Sequence, residues 1–220
     1  MFIGHAALAL ASRSRAPGVS LGWLFAAAFG LDLLWPLFLL SGLEQVAIPA
    51  QGTGFARLTF VSYPWSHSLA LALVWSAIAF GLARWRRCGR SVAFLIGALV
   101  FSHWVLDYVS HLPDLPLWPG RSPLVGLGLW RSTAATYLVE GFLYLLGIFL
   151  YYRSSRPRDA IGRYALPPLL GLMAALWAGT PLAPAPPSAT AVAWSGLVPV
   201  SFLLWAGWAD RHREACTPSS

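Results

Sequence analysis

Six apolar runs, at residues 20–41, 66–84, 91–111, 133–152, 164–182 and 190–208, make up most of the 220-residue chain. A helix needs about 20 mainly apolar residues to cross a bilayer. Short loops separate the runs, which leaves little chain for a separate soluble domain. Only 10% of the residues are charged, against about 25% in an ordinary soluble domain. The pattern predicts an all-α, polytopic helical membrane protein with about six transmembrane helices. A further apolar segment, 2–12, is too short to span at about 1.5 Å of rise per residue. It predicts a short N-terminal half-helix, lying at an interface or tucked into the bundle.

The arginines assign sides to this bundle. All fifteen basic residues are Arg, and twelve of them fall in alternate loops, leaving Arg57, Arg121 and Arg131 in the others. By the positive-inside bias, both termini face the cytoplasm, loops 42–65 and 112–132 face outward, and the lipid bilayer is the expected partner. The net charge of +7 is then a matter of topology, and no nucleic-acid partner is expected. Residues 1–152 form one unit of four spans plus the N-terminal helix. Residues 153–220 add two spans and a cytoplasmic tail. Cys88 and Cys216 fit neither a disulfide framework nor a CxxC metal site. The N-terminus does not read as a signal peptide, because its apolar run precedes Arg13 and Arg15.

Ionisable residues sort by position. Glu44, Asp159, Asp210, His212 and Glu214 fall in loops or at ends and read as solvated surface. His5, Asp32, His67, His103, Asp107, His111, Asp114 and Glu140 fall within or beside the apolar runs. Such groups cost about 2.5–3.5 kcal/mol each at a span centre and usually mark a site. His103, Asp107 and His111 recur every four residues, which stacks them on one helix face with a drift of about 40° per step. Two His and a carboxylate in that register suit a metal or a ligand-orienting pair. His67 starts the second run and meets Asp107 and His111 at one depth if the two runs are antiparallel. Asp32 lies four residues before Pro36, whose ring leaves the Asp32 carbonyl unpaired. His5 lies on an Ala-rich segment, Glu140 about two turns into the fourth run, and Asp114 between prolines.

Taken in order, Gly4-His5, Asp32, Ser66-His67-Ser68, Ser102-His103 with Asp107, and the run His111 to Gly120 followed by Gly126 to Trp130 resemble a bacterial family of membrane-bound, metal-dependent hydrolases of the inner membrane. The resemblance covers about residues 1–152. Two positions depart from the family pattern: Asp32 stands alone where two Asp are frequent, and Tyr63 occupies a position often held by His. Both bear on the number of metals held.

These residues predict a divalent metal ion, with Zn²⁺ first and Mn²⁺ or Fe²⁺ as alternatives, held by His5, Asp32, His67, His103 and Asp107. Glu140, Asp114 and His111 are the expected catalytic residues, moving protons or orienting a ligand. The expected activity is membrane-embedded hydrolysis of a lipid or lipid-linked ester or phosphoester at the outer face. The alternative is a small permease or proton/cation carrier that uses the same His/Asp/Glu cluster.

Overall fold

A computed structural model describes residues 1–49 and 54–216. Helix α1 (Phe2–Ser12) leads through a 3₁₀ turn to α2 (Leu21–Ala28) and α3 (Gly30–Leu40). Strands β1 (Gln45–Ala47) and β2 (Thr59–Ser62) form an antiparallel pair that returns the chain to the one-turn helix α4 (Pro64–His67). Helices α5 (Leu69–Trp85) and α6 (Arg90–Ser110) pack as a hairpin. The short pair β3 (Leu115–Pro116) and β4 (Leu124–Val125) precedes α7 (Thr133–Ser154). The chain continues through β5 (Ser155–Pro157), α8 (Ala160–Tyr164), α9 (Leu166–Gly179), α10 (Ala189–Ser195) and α11 (Pro199–Arg211). It then reaches β6 (Arg213–Ala215), which pairs with β5.

Local chemistry sets the breaks that matter for the site. Pro64 opens α4, where its missing N–H and fixed φ cost nothing. Ser68, with ψ of 148°, ends α4 and accepts the Leu71 amide at the start of α5. Phe29 separates α2 from α3 with a bend of 58°, which puts Asp32 in the first turn of α3. A carboxylate is favoured at that end of a helix by the unpaired N–H groups and the helix dipole.

Distant segments pack through glycine. A Cβ on Gly147 of α7 would stand 2.5 Å from the Ala7 carbonyl oxygen of α1, and one on Gly22 of α2 would stand 2.5 Å from the Leu203 carbonyl oxygen of α11. Only Gly lets the backbones approach this closely. Helix α1 consequently runs through the interior, with Ile3, His5, Ala6, Ala9 and Leu10 all buried. The same packing joins the chain's two ends. Arg13 Nε lies 2.9 and 3.1 Å from the two carboxylate oxygens of Asp210, which also accepts from the Leu21 amide at 2.9 Å and from the Tyr151 hydroxyl at 2.7 Å.

This architecture corrects the expected bundle of about six membrane spans plus a half-helix. The fold is all-α, but it is built from pairings between distant helices, α1 with α7 and α2 with α11, rather than from a simple series of spans. The first expected span is broken at Phe29, the helix in the second is 17 residues long, and the short N-terminal helix is a central element rather than an interfacial one. Among the described residues, four helical stretches remain long and apolar enough to cross a membrane by length and composition, or five if the bent pair counts as one. Large apolar side chains such as Phe94, Phe142 and Phe149 point outward. The cytoplasmic termini, the outward loops, the inner-membrane placement and the bilayer as partner all read the arginine bias against that span series. Those expectations are withdrawn with it. Two of the groups read as solvated are also corrected, because Glu44 and Asp210 are each only 2% exposed.

Candidate metal centre

Three elements converge on one point. Helix α6 supplies His103 and Asp107 one turn apart, α3 supplies Asp32, and α4 ends on His67. His103 Nε2 lies 3.1 Å from Asp107 Oδ2 and 3.5 Å from Asp32 Oδ1. His67 Nε2 lies 3.5 Å from the same Asp32 oxygen and 3.6 Å from Asp107 Oδ2. Ligand atoms around a tetrahedral ion with bonds of about 2.0–2.1 Å stand roughly 3.3 Å apart, and these four imidazole-to-carboxylate separations are close to that value. Among the described residues, two overlapping groups could hold a metal ion: His5, His103 and Asp107, and Asp32, His67 and His103.

The outer hydrogen bonds fix which nitrogen of each ring faces inward. His103 Nδ1 lies 2.8 Å from the Ala28 carbonyl oxygen. A carbonyl only accepts, so Nδ1 carries a proton and Nε2 is the atom that faces the two carboxylates; against the opposing effect of burial, Asp32 and Asp107 raise the imidazole to about 10. His103 Nε2 is buried and has no hydrogen-bond partner among the described residues. His67 is held in the same sense. Its Nδ1 lies 2.7 Å from the Ser66 hydroxyl, which itself donates to Glu44 Oε2 at 2.8 Å. The Ser66 proton is therefore committed to Glu44, and His67 Nδ1 donates to the Ser66 oxygen. A metal-ligating His characteristically passes its second N–H to an acceptor in this way. Burial pushes the Glu44 carboxyl up, while the hydrogen bonds from Ser66 act against the rise.

Asp107 divides its two oxygens. Oδ2 faces His67 and His103, while Oδ1 lies 3.2 Å from His5 Nε2 and 2.5 Å from the Met1 amino nitrogen. The Met1 ammonium is held above its ordinary value, because the Asp107 and Glu140 carboxylates outweigh its burial. The His5 ring stacks on His103, with centroids 3.7 Å apart and planes 4° from parallel. Burial, with His103 and the Met1 ammonium nearby, lowers His5 to about 3, so it stands neutral near pH 7.

The three expected catalytic residues take different places. Helix α6 ends at Ser110, and His111, with ψ of 151°, leaves the face that carries His103 and Asp107. Its Nδ1 lies 3.0 Å from Asp114 Oδ1, which also accepts from the Tyr63 hydroxyl at 2.8 Å. His111 lines a cavity of about 190 Å³ together with Asp32, His67 and Asp107, and Asp32 is the ligand candidate with an open side, its side chain 34% exposed. Glu140 is fully buried but is not among that cavity's lining residues. Its Oε1 accepts from Trp130 Nε1 at 3.3 Å, and Trp130 packs on the His111 ring with centroids 4.4 Å apart.

Sequence reasoning missed Glu44 and Tyr63. Neither carries a local signal. Glu44 reaches Ser66 because β1 and β2 pair with Gln45 opposite Ser62, and Tyr63 is buried, with its hydroxyl donating to Asp114 Oδ1 at 2.8 Å.

Comparison with known protein families, curated proteins and solved structures finds no match to this chain. The resemblance to inner-membrane metal-dependent hydrolases is corrected on that ground: its short motifs lie on a compact all-α packing that matches no family model. Membrane-embedded action on a lipid or lipid-linked substrate loses its basis with the span series, and so does the carrier alternative, which needs a path across a membrane. A buried His/Asp cluster suited to a divalent ion remains, and it supports a metal-dependent enzymatic role in general terms.

Proposed function

We propose that the protein is a metal-dependent hydrolase acting on an ester or phosphoester. The observation that carries this reading is that His67 Nε2 and His103 Nε2 each lie 3.1–3.6 Å from Asp32 Oδ1 and Asp107 Oδ2, beside a cavity. The donor set, two imidazoles and two carboxylates without thiolate, suits Zn²⁺ first and Mn²⁺ or Fe²⁺ next. A divalent ion bound there would lower the pKa of a coordinated water to about 7 and polarise the substrate's carbonyl or phosphoryl oxygen.

The chain's own residues have distinct tasks in this reading. Asp32 and Asp107 neutralise the ion's charge. Ala28 and the Ser66–Glu44 pair hold the two imidazoles in the ligating tautomer. His5, against the other oxygen of Asp107, keeps that carboxylate from rotating. His111 faces the cavity with Nδ1 bound to Asp114, so its Nε2 takes the proton from the attacking water and passes it to the leaving oxygen. One O–H bond of water breaks, one bond from its oxygen to the acyl carbon or phosphorus forms, the ester bond breaks, and the proton ends on the released alcohol. Glu140 acts at a distance, by holding Trp130 against His111.

The test is metal content by mass spectrometry, together with ester and phosphoester hydrolysis, on protein made without a His-tag. Near-stoichiometric metal and activity that both disappear in His103→Ala are the expected result. Full activity in His103→Ala would overturn the reading.

A further inference from the structure

The cavity at the metal centre has a marked charge character. Its carboxylates are Asp32 and Asp107, and aromatic rings of Trp35, Phe60 and Trp130 make up much of its wall. Further carboxyl groups stand behind that wall. Asp114 bonds His111 Nδ1 at 3.0 Å, and Glu140 accepts from Trp130 Nε1 at 3.3 Å. All fifteen arginines fall among the described residues, and none lines this cavity. The Met1 ammonium reaches it, but is buried and already held by Asp107 Oδ1 and the Ser110 hydroxyl.

Electrostatics then separates the substrates such a centre can take. Asp32 and Asp107 together cancel the charge of a divalent ion, so the loaded centre has no surplus positive charge. A phosphate monoester brings a charge of about −1.5 to −2 at pH 7. In the cavity that charge would meet carboxylates and rings whose faces are themselves negative. The volume, about 190 Å³, lies below the usual range of small-molecule sites, about 300–1,000 Å³, so the anion would enter largely stripped of water. A charge that loses water without gaining a partner is costly to bury. An uncharged ester avoids this cost. Its carbonyl needs one electrophile, and negative charge develops on that oxygen only in the transition state.

We propose that the substrate is an uncharged carboxylic ester, and that the charge of the cavity rejects phosphomonoesters and phosphodiesters. The proposal rests on the hydrolase reading above. The water oxygen bonds to the acyl carbon, the bond from that carbon to the alkoxy oxygen breaks, and one water proton passes through His111 to the departing alcohol. The acid formed releases the other proton to solvent. Its carboxylate is then an anion in the same negative surroundings, which favours its departure.

The experiment adds a cation to the wall. Phe60→Arg and Trp35→Arg each place a guanidinium at the cavity, and Phe60→Gln and Trp35→Gln remove the ring without adding charge. Phe60 is half-buried on the β1–β2 pair, so its replacement disturbs less of the interior than that of the buried Trp35. Calorimetry measures inorganic phosphate binding to each zinc-loaded protein, beside hydrolysis of p-nitrophenyl acetate and p-nitrophenyl phosphate. The wild type should hydrolyse p-nitrophenyl acetate and leave p-nitrophenyl phosphate intact. Phosphate affinity should rise at least about tenfold in each Arg variant over its Gln counterpart, the lower end of what one charged hydrogen bond adds. Phosphate affinity equal in both Arg–Gln pairs would overturn the proposal, as would a wild-type kcat/KM for p-nitrophenyl phosphate at or above that for the acetate. The two readings separate cleanly. A gain in phosphate affinity without hydrolysis of either ester keeps the charge assignment and removes the hydrolase. Wild-type hydrolysis of p-nitrophenyl phosphate that disappears in His103→Ala keeps the hydrolase and removes the charge assignment.

Discussion

Glu44 grips Ser66 at two points: its Oε1 accepts the Ser66 amide and its Oε2 accepts the Ser66 hydroxyl, both at 2.8 Å. Through that hydroxyl it orients His67, the residue that closes the metal centre on the α4 side. The consequence concerns metal affinity, because loss of such an outer partner typically costs about 10–100-fold. Glu44→Ala should weaken zinc binding by about that factor, measured by competition with a chelator, with Glu44→Gln recovering part of it. Unchanged affinity in Glu44→Ala would assign the contact to packing alone.

Metal should also stabilise the fold, since the ligands come from α3, α4 and α6 and are brought together only in the native state. A ligand at a hundred times its Kd adds about 2.7 kcal/mol. Zinc should raise the melting temperature of the wild type and leave that of His67→Ala/His103→Ala unmoved. An equal rise in both proteins would place the ion elsewhere.

The close approach of α1 and α7 predicts a sensitive position outside the site. Gly147→Val would drive a side chain into the Ala7 backbone and should destabilise by at least about 1–3 kcal/mol, the usual cost of overpacking. Because α1 carries His5, zinc affinity should fall too. Urea denaturation and chelator competition measure the two effects, and a fall in neither would contradict the packing.

Asp210 predicts the opposite separation of effects. Asp210→Ala strands the buried Arg13 guanidinium and the Leu21 amide, and breaking a buried ion pair typically costs about 3–5 kcal/mol. The variant should unfold at markedly lower urea, yet bind metal with wild-type stoichiometry while folded. Loss of metal from the folded variant would mean that the two regions are coupled.

His5 predicts a pH dependence of the metal-free protein. Its folded value, about 3, lies below the ordinary imidazole value of 6.5. The unfolded chain therefore binds the extra proton between those values, and stability rises with pH there. The contribution is complete above about pH 6.5 and is lost as the pH falls toward 3, by at most about 1.4 kcal/mol per unit. Carboxyls raised by burial, such as Glu44, contribute with the opposite sign. The readout is therefore the stability difference between wild type and His5→Gln, which should narrow as the pH falls through that window. A constant difference would show that His5 does not titrate on unfolding.

Local order was legible in the chain, and long-range order was not. His103 and Asp107 share a face because residues four apart on any helix do, and the separation of 3.1 Å follows from that register. The same rule failed for His111, since it assumes a helix that continues, and α6 stops at Ser110. Helical propensity and apolar content were equally visible, but they do not say which helix a run packs against. The expected span series was drawn from content alone.

What the sequence determined by itself was a helical chain with imidazoles and carboxylates set within and beside its apolar runs. Tertiary structure alone decided that Glu44 and Asp210 are buried rather than solvated, that α1 is central, and that Ala28 and Ser66 select the imidazole tautomers. Arg13 meets Asp210 across 197 positions of chain, a distance no periodicity reaches. Periodicity reports the geometry of one element. Burial and partner choice are properties of the packed whole, set here by where glycine lets two backbones touch.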